Sequence, residues 1–222
     1  MLVEIAMTTW PSSEERVKYF VKCIEALRNN LVCFDPYVMI WSVNCETEVL
    51  PGQQHCSKIV DDWCHDNKVI HRRRDGKADL GSNMNNILRN SNADYVFLVQ
   101  DDRLLTRSLN LNFGLGLLEE YKKIASINYA MSNNANFYTS SYGRVHEFYL
   151  LSPNTPRLYI NPQSLISSSF VKRFGYFTEG GLHGKAELDM DNCIRSKKAT
   201  TLLSSVHYFE HCGIKRANGK EL

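Results

Sequence analysis

Between Val3 and Val99 the chain alternates short runs that are apolar almost throughout with longer stretches whose apolar residues recur at helical spacing. A strand apolar on both faces needs cover on both faces. That pattern points to a mostly parallel sheet layered between helices, an α/β class, rather than an antiparallel sheet with one wet face. "VEIAMTT" (Val3 to Thr9), "YVMIWSV" (Tyr37 to Val43), "KVIHRR" (Lys68 to Arg73) and "YVFLV" (Tyr95 to Val99) are the expected strands.

Helices are expected between them. After Ser12 or Ser13 as a cap, Val17, Phe20, Val21, Ile24 and Leu27 make a helical stripe. "CSKIVDDWCHD" and "GSNMNNILRNS" read as two more helices. The second half is less regular. It predicts a helix over "LNFGLGLLEEYKKIA" despite two glycines, a strand and short helix over "RLYINPQSLISSSFVKRFG", an acidic helix start at "AELDMDNCIRSKKA", and a final strand "TTLLSSVHYFEHCG". The stretch from Asn128 to Tyr149 is rich in Asn, Ser and Tyr and only weakly periodic; it reads either as short antiparallel strands or as a long surface loop, and loops of that length are more often functional than decorative.

Composition narrows the function classes. The 222 residues are 43% hydrophobic and 23% charged, enough for one large domain, with a net charge of +2 that demands neither nucleic acid nor an acidic membrane as partner. No apolar run approaches a membrane span. The start, "MLVEIAMTTW", lacks a basic region and carries Glu4, so no cleaved secretion signal is expected. Seven cysteines, an odd number without C-x-x-C, read as reduced buried thiols of a cytoplasmic protein. The segment "HCSKIVDDWCH" matches no common zinc spacing and reads better as an amphipathic helix.

The most apolar strand ends abruptly in Gln100, Asp101 and Asp102. In an open α/β sheet ligands gather beyond the carboxyl ends of the strands. Two adjacent ionised carboxylates repel unless water screens them or a cation sits between them. At a cleft a hard divalent ion, Mn²⁺ or Mg²⁺, satisfies such a pair and bridges to phosphate. Taken alone, the dipeptide reads first as an exposed turn with two solvated acids, ahead of a metal site.

Four ordered stretches, and a closing one after them, resemble the GT-A nucleotide-sugar glycosyltransferases, in particular the inverting family 2. "VEIAMTTW" is similar to the first nucleotide-binding strand, and "GSNMNNIL" to the helix after the third strand, with Asn83 at its asparagine. "YVFLVQDDRLL" resembles the strand leading into a D-x-D-D metal motif, with Val99 in place of the first aspartate. "FVKRFGYFTEGGLHGKAELDMDNCIRSKKA" resembles the late block that ends in an acidic helix. Phe174, Gly175, Phe177, Asp189, Asp191 and Arg195 match, and Leu188 stands at the usual glutamate, with Glu187 one residue earlier. "HYFEHCG" resembles the late histidine beside a glycine.

The resemblance implies a GT-A type (Rossmann-like) three-layer sandwich spanning 1–222 as a single domain, with a nucleotide-binding half of about 1–105 and an acceptor-binding half of about 106–222. It implies a sugar moved with inversion from a nucleotide-sugar donor, taken as UDP-linked, to a hydroxyl of a glycan or glycolipid acceptor. Asp101, Asp102 and His211, with His207 as rival, would hold Mn²⁺ or Mg²⁺; either histidine also reads as simple packing at a strand end. Asp189 would be the base, with Glu187 and Asp191 as rivals, since a carboxylate needs only the right geometry to take a hydroxyl proton as the bond forms. Thr8, Thr9, Trp10, Asn44, Glu46, Arg74, Asp79 and Asn83 would meet the nucleotide together with Asp101, and the Asn128–Tyr149 stretch would face the acceptor. The run Arg72–Arg74 reads equally as a solvated basic loop. The chain ends soon after the last motif, as the transferase module of a longer enzyme would. A cytoplasmic place, extending to the cytosolic membrane face, goes with that reading.

Two other classes remain. A sugar-nucleotide nucleotidyltransferase shares the layout, but it wants a glycine-rich loop after the first strand, and "TTWPSSEER" has none. A non-catalytic GT-A-like binding module is the other, kept open by Val99.

Overall fold

In the computed structural model, residues 1–46, 54–74, 79–129, 141–151, 163–180 and 184–212 are described. The first half runs β1 (Leu2–Thr9), α1 (Glu14–Asn30), β2 (Leu31–Val32), β3 (Val38–Glu46), α2 (Gln54–Asp66), β4 (Ile70–Arg74), α3 (Leu80–Asn90) and β5 (Tyr95–Gln100). The second runs β6 (Arg103–Leu105), β7 (Leu109–Asn110), α4 (Asn112–Glu120), β8 (Ile124–Asn128), β9 (Ser141–Val145), β10 (Phe148–Leu151) and β11 (Ser164–Ser167). It closes with α5 (Ser169–Phe174), α6 (Lys185–Ser196), β12 (Thr200–Ser204) and β13 (Phe209–His211).

A nine-stranded sheet in the order β4-β3-β1-β5-β11-β8-β12-β10-β9 forms the middle layer. β4, β3, β1 and β5 are parallel neighbours, and only β11 and β10 run against the rest. The expected α/β class and mostly parallel sheet are therefore present. Strand alternation sorts the core into two layers. Val3, Ile5, Met7, Phe97 and Val99 pack with Phe20 and Ile24 of α1, Val60 of α2 and Leu115 of α4. Ala6, Val96 and Leu98 pack on the other face with Met84 and Ile87 of α3, Phe170 of α5 and Met190 of α6. Each large apolar side chain withdrawn this way contributes roughly 1.5–3 kcal/mol, which makes these two layers the main force holding the strand ends in place.

α1 starts where Ser13 accepts a hydrogen bond from the Arg16 amide, and Asp79 caps α3 in the same way through the Ser82 amide. Three expectations are corrected. The helix expected through residue 125 stops at Glu120, and "IASIN" is instead the fully buried strand β8; a short apolar run has no period that separates the two. Gly114 survives in α4 because a Cβ there would collide with the Tyr129 hydroxyl. The final strand is two strands. Ser204 Oγ accepts from the Val206 amide at 3.0 Å, the chain turns, and β13 leaves the main sheet to pair with β6. Finally, Arg72–Arg74 are not a loop after the third strand but the end of β4 itself.

Part of the Asn128–Tyr149 stretch (130–140), residues 152–162, the "GLH" of the late block (181–183) and Gly213 lie outside the described residues. No helix among the described residues is long and apolar enough to cross a membrane.

Candidate active site

β1 and β5 lie side by side and in register, Thr8 beside Gln100, so the two chains leave the sheet together. The Asp101 amide donates to the Thr8 carbonyl at 3.1 Å and continues that ladder by one step. This places Asp101 under the β1 end, where it is only 2% exposed. Its Oδ2 accepts from Thr9 Oγ1 at 2.7 Å and from the Trp10 amide at 3.3 Å. Its Oδ1 accepts from Arg16 Nη2. The exposed-turn reading of the acidic pair therefore does not hold for Asp101.

Arg16 stands on the first turn of α1 and reaches both acids. Its Nη1 lies 3.4 Å from Asp102 Oδ2. The Asp101 carboxyl is pushed up to about 6 on balance: burial raises it and outweighs Arg16, which lowers it, while the neighbouring Asp102 charge raises it and the Thr9 and Trp10 donors lower it. Burial works against the charge on Arg16, but the two aspartates outweigh it and hold the guanidinium protonated.

Asp102 is more accessible. Its carbonyl accepts from the Cys212 amide at 2.8 Å, and the β6–β13 pairing brings His211 opposite Arg103. His211 Nε2 consequently lies 3.5 Å from Asp102 Oδ2. Arg103 Nε is 3.7 Å from Asp102 Oδ1, beyond hydrogen-bond reach, and that oxygen is buried without a hydrogen-bond partner among the described residues. His207 lies in the turn between β12 and β13.

These donors decide how a divalent ion fits. Both Asp101 oxygens already accept hydrogen bonds from Thr9, Trp10 and Arg16. Asp102 and His211 converge, and an orphaned buried oxygen on Asp102 is the kind of acceptor a hard cation satisfies. No group of three or more His, Cys, Asp or Glu side chains assembles among the described residues. The residues fit an ion held by one carboxylate and completed by water and phosphate oxygens, as Mg²⁺-type ions commonly are, with one imidazole beside it.

The other expected nucleotide residues fall into two groups. Thr8 Oγ1 turns inward to the Val99 carbonyl at 3.3 Å, and Thr9 is spent on Asp101. Trp10 is half-buried beside them. Further along the sheet edge, Glu46 Oε1 accepts from Arg74 Nη2 at 2.9 Å and from the Asp79 amide at 3.0 Å. Asn44 is fully buried, donating to the Asn83 carbonyl at 3.2 Å and accepting from Asn86 Nδ2 at 2.7 Å. Asn83 keeps its side-chain oxygen buried and without a hydrogen-bond partner among the described residues. The basic run is accounted for by ion pairs, Arg72 with Glu4, Arg73 with Asp61 and Arg74 with Glu46.

The late acidic helix is tied to α3 by the loop before it. Asn85 accepts from the Phe177 amide at 2.8 Å, and its Nδ2 donates back to the Phe177 carbonyl at 2.8 Å and to Glu179 Oε1 at 2.7 Å. The Gly180 amide donates to Asp79 Oδ2 at 3.0 Å. A Cβ on Gly81 would overlap the Thr178 carbonyl, so only glycine permits this approach. From that loop Thr178 Oγ1 donates to Asp189 Oδ2 at 2.6 Å. Of the three acids, Asp191 is buried and paired with Arg195 at 2.8 Å, while Glu187 and Asp189 are half-buried.

Sequence reasoning passed over Arg16, Asn85, Thr178 and Glu179. Arg16 did carry a signal: a cation in the first turn of a helix opposes the helix dipole and needs a carboxylate nearby. Asn85 and Thr178 carry none, since their partners are distant in the chain.

No family model matches the sequence, and no curated protein matches it. Solved structures do. S. aureus TarS is matched over 96% of this chain and 37% of its own, at 14% identity and a TM-score of 0.63. TarS 1–349 in complex with UDP-GlcNAc is matched over 96% of this chain and 60% of its own, at 15% identity and a TM-score of 0.63. The mannosyltransferase PcManGT from Pyrobaculum calidifontis, in complex with GDP-Man and Mn²⁺, is matched over 92% of this chain and 56% of its own, at 10% identity and a TM-score of 0.56. The chain thus spans less than two thirds of the structures it matches. Together with the sheet order and layers above, these likenesses give the chain the GT-A fold of nucleotide-sugar glycosyltransferases.

Proposed function

We propose that the chain is a metal-dependent, inverting glycosyltransferase that moves a sugar from a UDP-linked donor to a hydroxyl of a glycan or glycolipid. The observation that carries the reading is the pairing of Asp102 at the end of β5 with His211 from β13, in a fold shared with proteins solved with UDP-GlcNAc and with GDP-Man and Mn²⁺. Asp102 and His211 would hold Mn²⁺ or Mg²⁺, which neutralises charge on the departing diphosphate. Asp101 keeps Asp102 and the β1 end in register. Trp10 supplies a flat face for the base, and Arg74, Glu46 and Asp79 define the rim for the rest of the nucleotide, with Thr8, Thr9, Asn44 and Asn83 acting through the frame behind it.

Asp189 takes the proton from the acceptor hydroxyl as that oxygen bonds to the anomeric carbon and the bond to the diphosphate breaks. Thr178 engages Oδ2 of Asp189 and orients the carboxylate, leaving Oδ1 for the proton. Asp191 is held by Arg195, so among the three acids it is the least suited to this work. The acceptor would be met by the Asn128–Tyr149 stretch. The cytoplasmic place and the presence of further domains in a longer enzyme belong to the same proposal.

Calorimetric titration with UDP in the presence and absence of Mn²⁺, followed by UDP-sugar hydrolysis, tests it. Metal-dependent UDP binding with turnover is expected. Binding without any turnover would favour the non-catalytic module, to which the engaged state of Asp101 also lends weight. No UDP binding at all would overturn both.

A further inference from the structure

The cation that the acidic pair calls for is already present in the chain. Arg16 lies between Asp101 and Asp102, on a different element from either, and its two nitrogens address one carboxylate each. The two contacts are unequal. Nη2 is bound closely to the buried Asp101, whereas Nη1 reaches Asp102 Oδ2 only at 3.4 Å. The cluster is also incomplete, because Arg16 Nε and Asp102 Oδ1 are both buried without hydrogen-bond partners among the described residues. Buried polar groups in finished clusters are paired; Arg103 Nε stops 3.7 Å from Asp102 Oδ1, outside hydrogen-bond reach, so this open acceptor beside a weakly held one leaves a place for a further positive group.

We propose that Arg16 is a resident counter-ion that competes with the divalent metal for Asp102, so that the metal binds poorly until the donor diphosphate arrives. This rests on the glycosyltransferase reading of the same site. Several charges meet within a few ångströms: the Asp101 and Asp102 carboxylates, the Arg16 guanidinium between them, the Arg103 guanidinium with Nε 3.7 Å from Asp102 Oδ1, and the incoming metal. A fixed unit charge so close to a partly buried ligand lowers the affinity of a second cation. The diphosphate changes the sign of the balance. It brings negative charge to both cations, so the guanidinium keeps Asp101 and releases Asp102 without being left beside an unshielded metal. The arrangement makes donor and metal bind together rather than in turn, a reciprocal coupling between the two ligands. Arg16 is a positioning residue here, acting on the metal through Asp102.

The test is Mn²⁺ binding followed by the electron paramagnetic resonance signal of the free ion, with and without UDP, which needs no turnover. Arg16→Gln removes the charge but keeps an amide donor for Asp101, and Arg16→Lys keeps the charge. Without UDP, R16Q is expected to bind Mn²⁺ about tenfold or more tightly than wild type, and R16K to bind as weakly as wild type. With UDP, wild type is expected to approach R16Q. Circular dichroism and thermal melts show that each variant is folded, and Asp101→Asn combined with Arg16→Gln substitutes for R16Q if the single variant is not. Equal Mn²⁺ affinity of R16Q and wild type without UDP, with UDP-dependent binding intact, would overturn the counter-ion role and leave the transferase reading standing. Absence of Mn²⁺ binding in every protein even with UDP would overturn the metal-dependent reading itself, and this inference with it.

Discussion

His211 Nε2 and Asp102 Oδ2 face each other at 3.5 Å although 109 residues separate them in the chain. The contact is built by backbone, through the β6–β13 pairing and the hydrogen bond from the Cys212 amide to the Asp102 carbonyl. It predicts unequal effects within the acidic pair. Asp102→Asn should lose Mn²⁺-dependent UDP binding, and His211→Ala should weaken it by about tenfold or more, as loss of a metal contact does. Asp101→Asn should act mainly on stability, since Asp101 serves Thr9, Trp10 and Arg16. Calorimetry with and without Mn²⁺, beside thermal melts, checks all three.

The base assignment makes a different prediction. Asp189→Ala should leave UDP affinity within about twofold and lower kcat by a hundredfold or more, the usual worth of a general base being about 10²–10⁴. Thr178→Val removes only the 2.6 Å bond that orients Asp189, so kcat should fall less, with donor KM unchanged. Steady-state kinetics on the pair checks the order. Normal turnover in the Asp189 variant would move the role to Glu187.

Gly81 couples α3 to the loop carrying Thr178. Gly81→Ala would favour the helix by propensity alone, by roughly 1 kcal/mol. Here the Cβ meets the Thr178 carbonyl, a backbone atom that cannot swing aside. The net effect should be destabilisation of about 1–3 kcal/mol, the ordinary cost of overpacking, measured by urea unfolding. Turnover should drop as well, because displacing Thr178 frees Asp189.

Much of this organisation is visible in the amino-acid order, and the division is physical. Alternation of apolar runs and helical stripes is local information, so the β1–α1–β3–α2–β4–α3–β5 succession can be read directly, and the burst of charge at Asp101 and Asp102 marks the strand end. What escapes is set by pairing over distance. Arg72, Arg73 and Arg74 look like a basic loop because their partners Glu4, Asp61 and Glu46 lie elsewhere in the chain. Asn85 looks like one of several interchangeable amides in "NMNN", yet it alone of them carries the loop at Phe177 and Glu179. β8 and β13 escape because short apolar segments take their state from neighbours in the sheet rather than from their own period.

Asp79 yields the pH prediction. Burial pushes its carboxyl up, but donors from Ser82 and Gly180 and the nearby Arg74 charge outweigh this and hold it below its ordinary value of 3.8. A depressed native value means that the unfolded chain binds the proton first as acid is added. The stabilisation is therefore complete above about pH 4 and is lost as the pH falls through the native value, which lies lower. Asp79→Ala removes the cap of α3 and the acceptor for the Gly180 amide. The variant should be less stable by about 1–2 kcal/mol near neutrality, the upper range for a lost cap. The gap should narrow only in the acid limb. Urea titrations of both proteins at intervals from pH 7 down to pH 3 measure it. A gap that stayed constant to pH 3 would show that the ionised carboxylate contributes nothing beyond its shape, and that α3 and the loop at Gly180 are held by Asn85 and Gly81 instead.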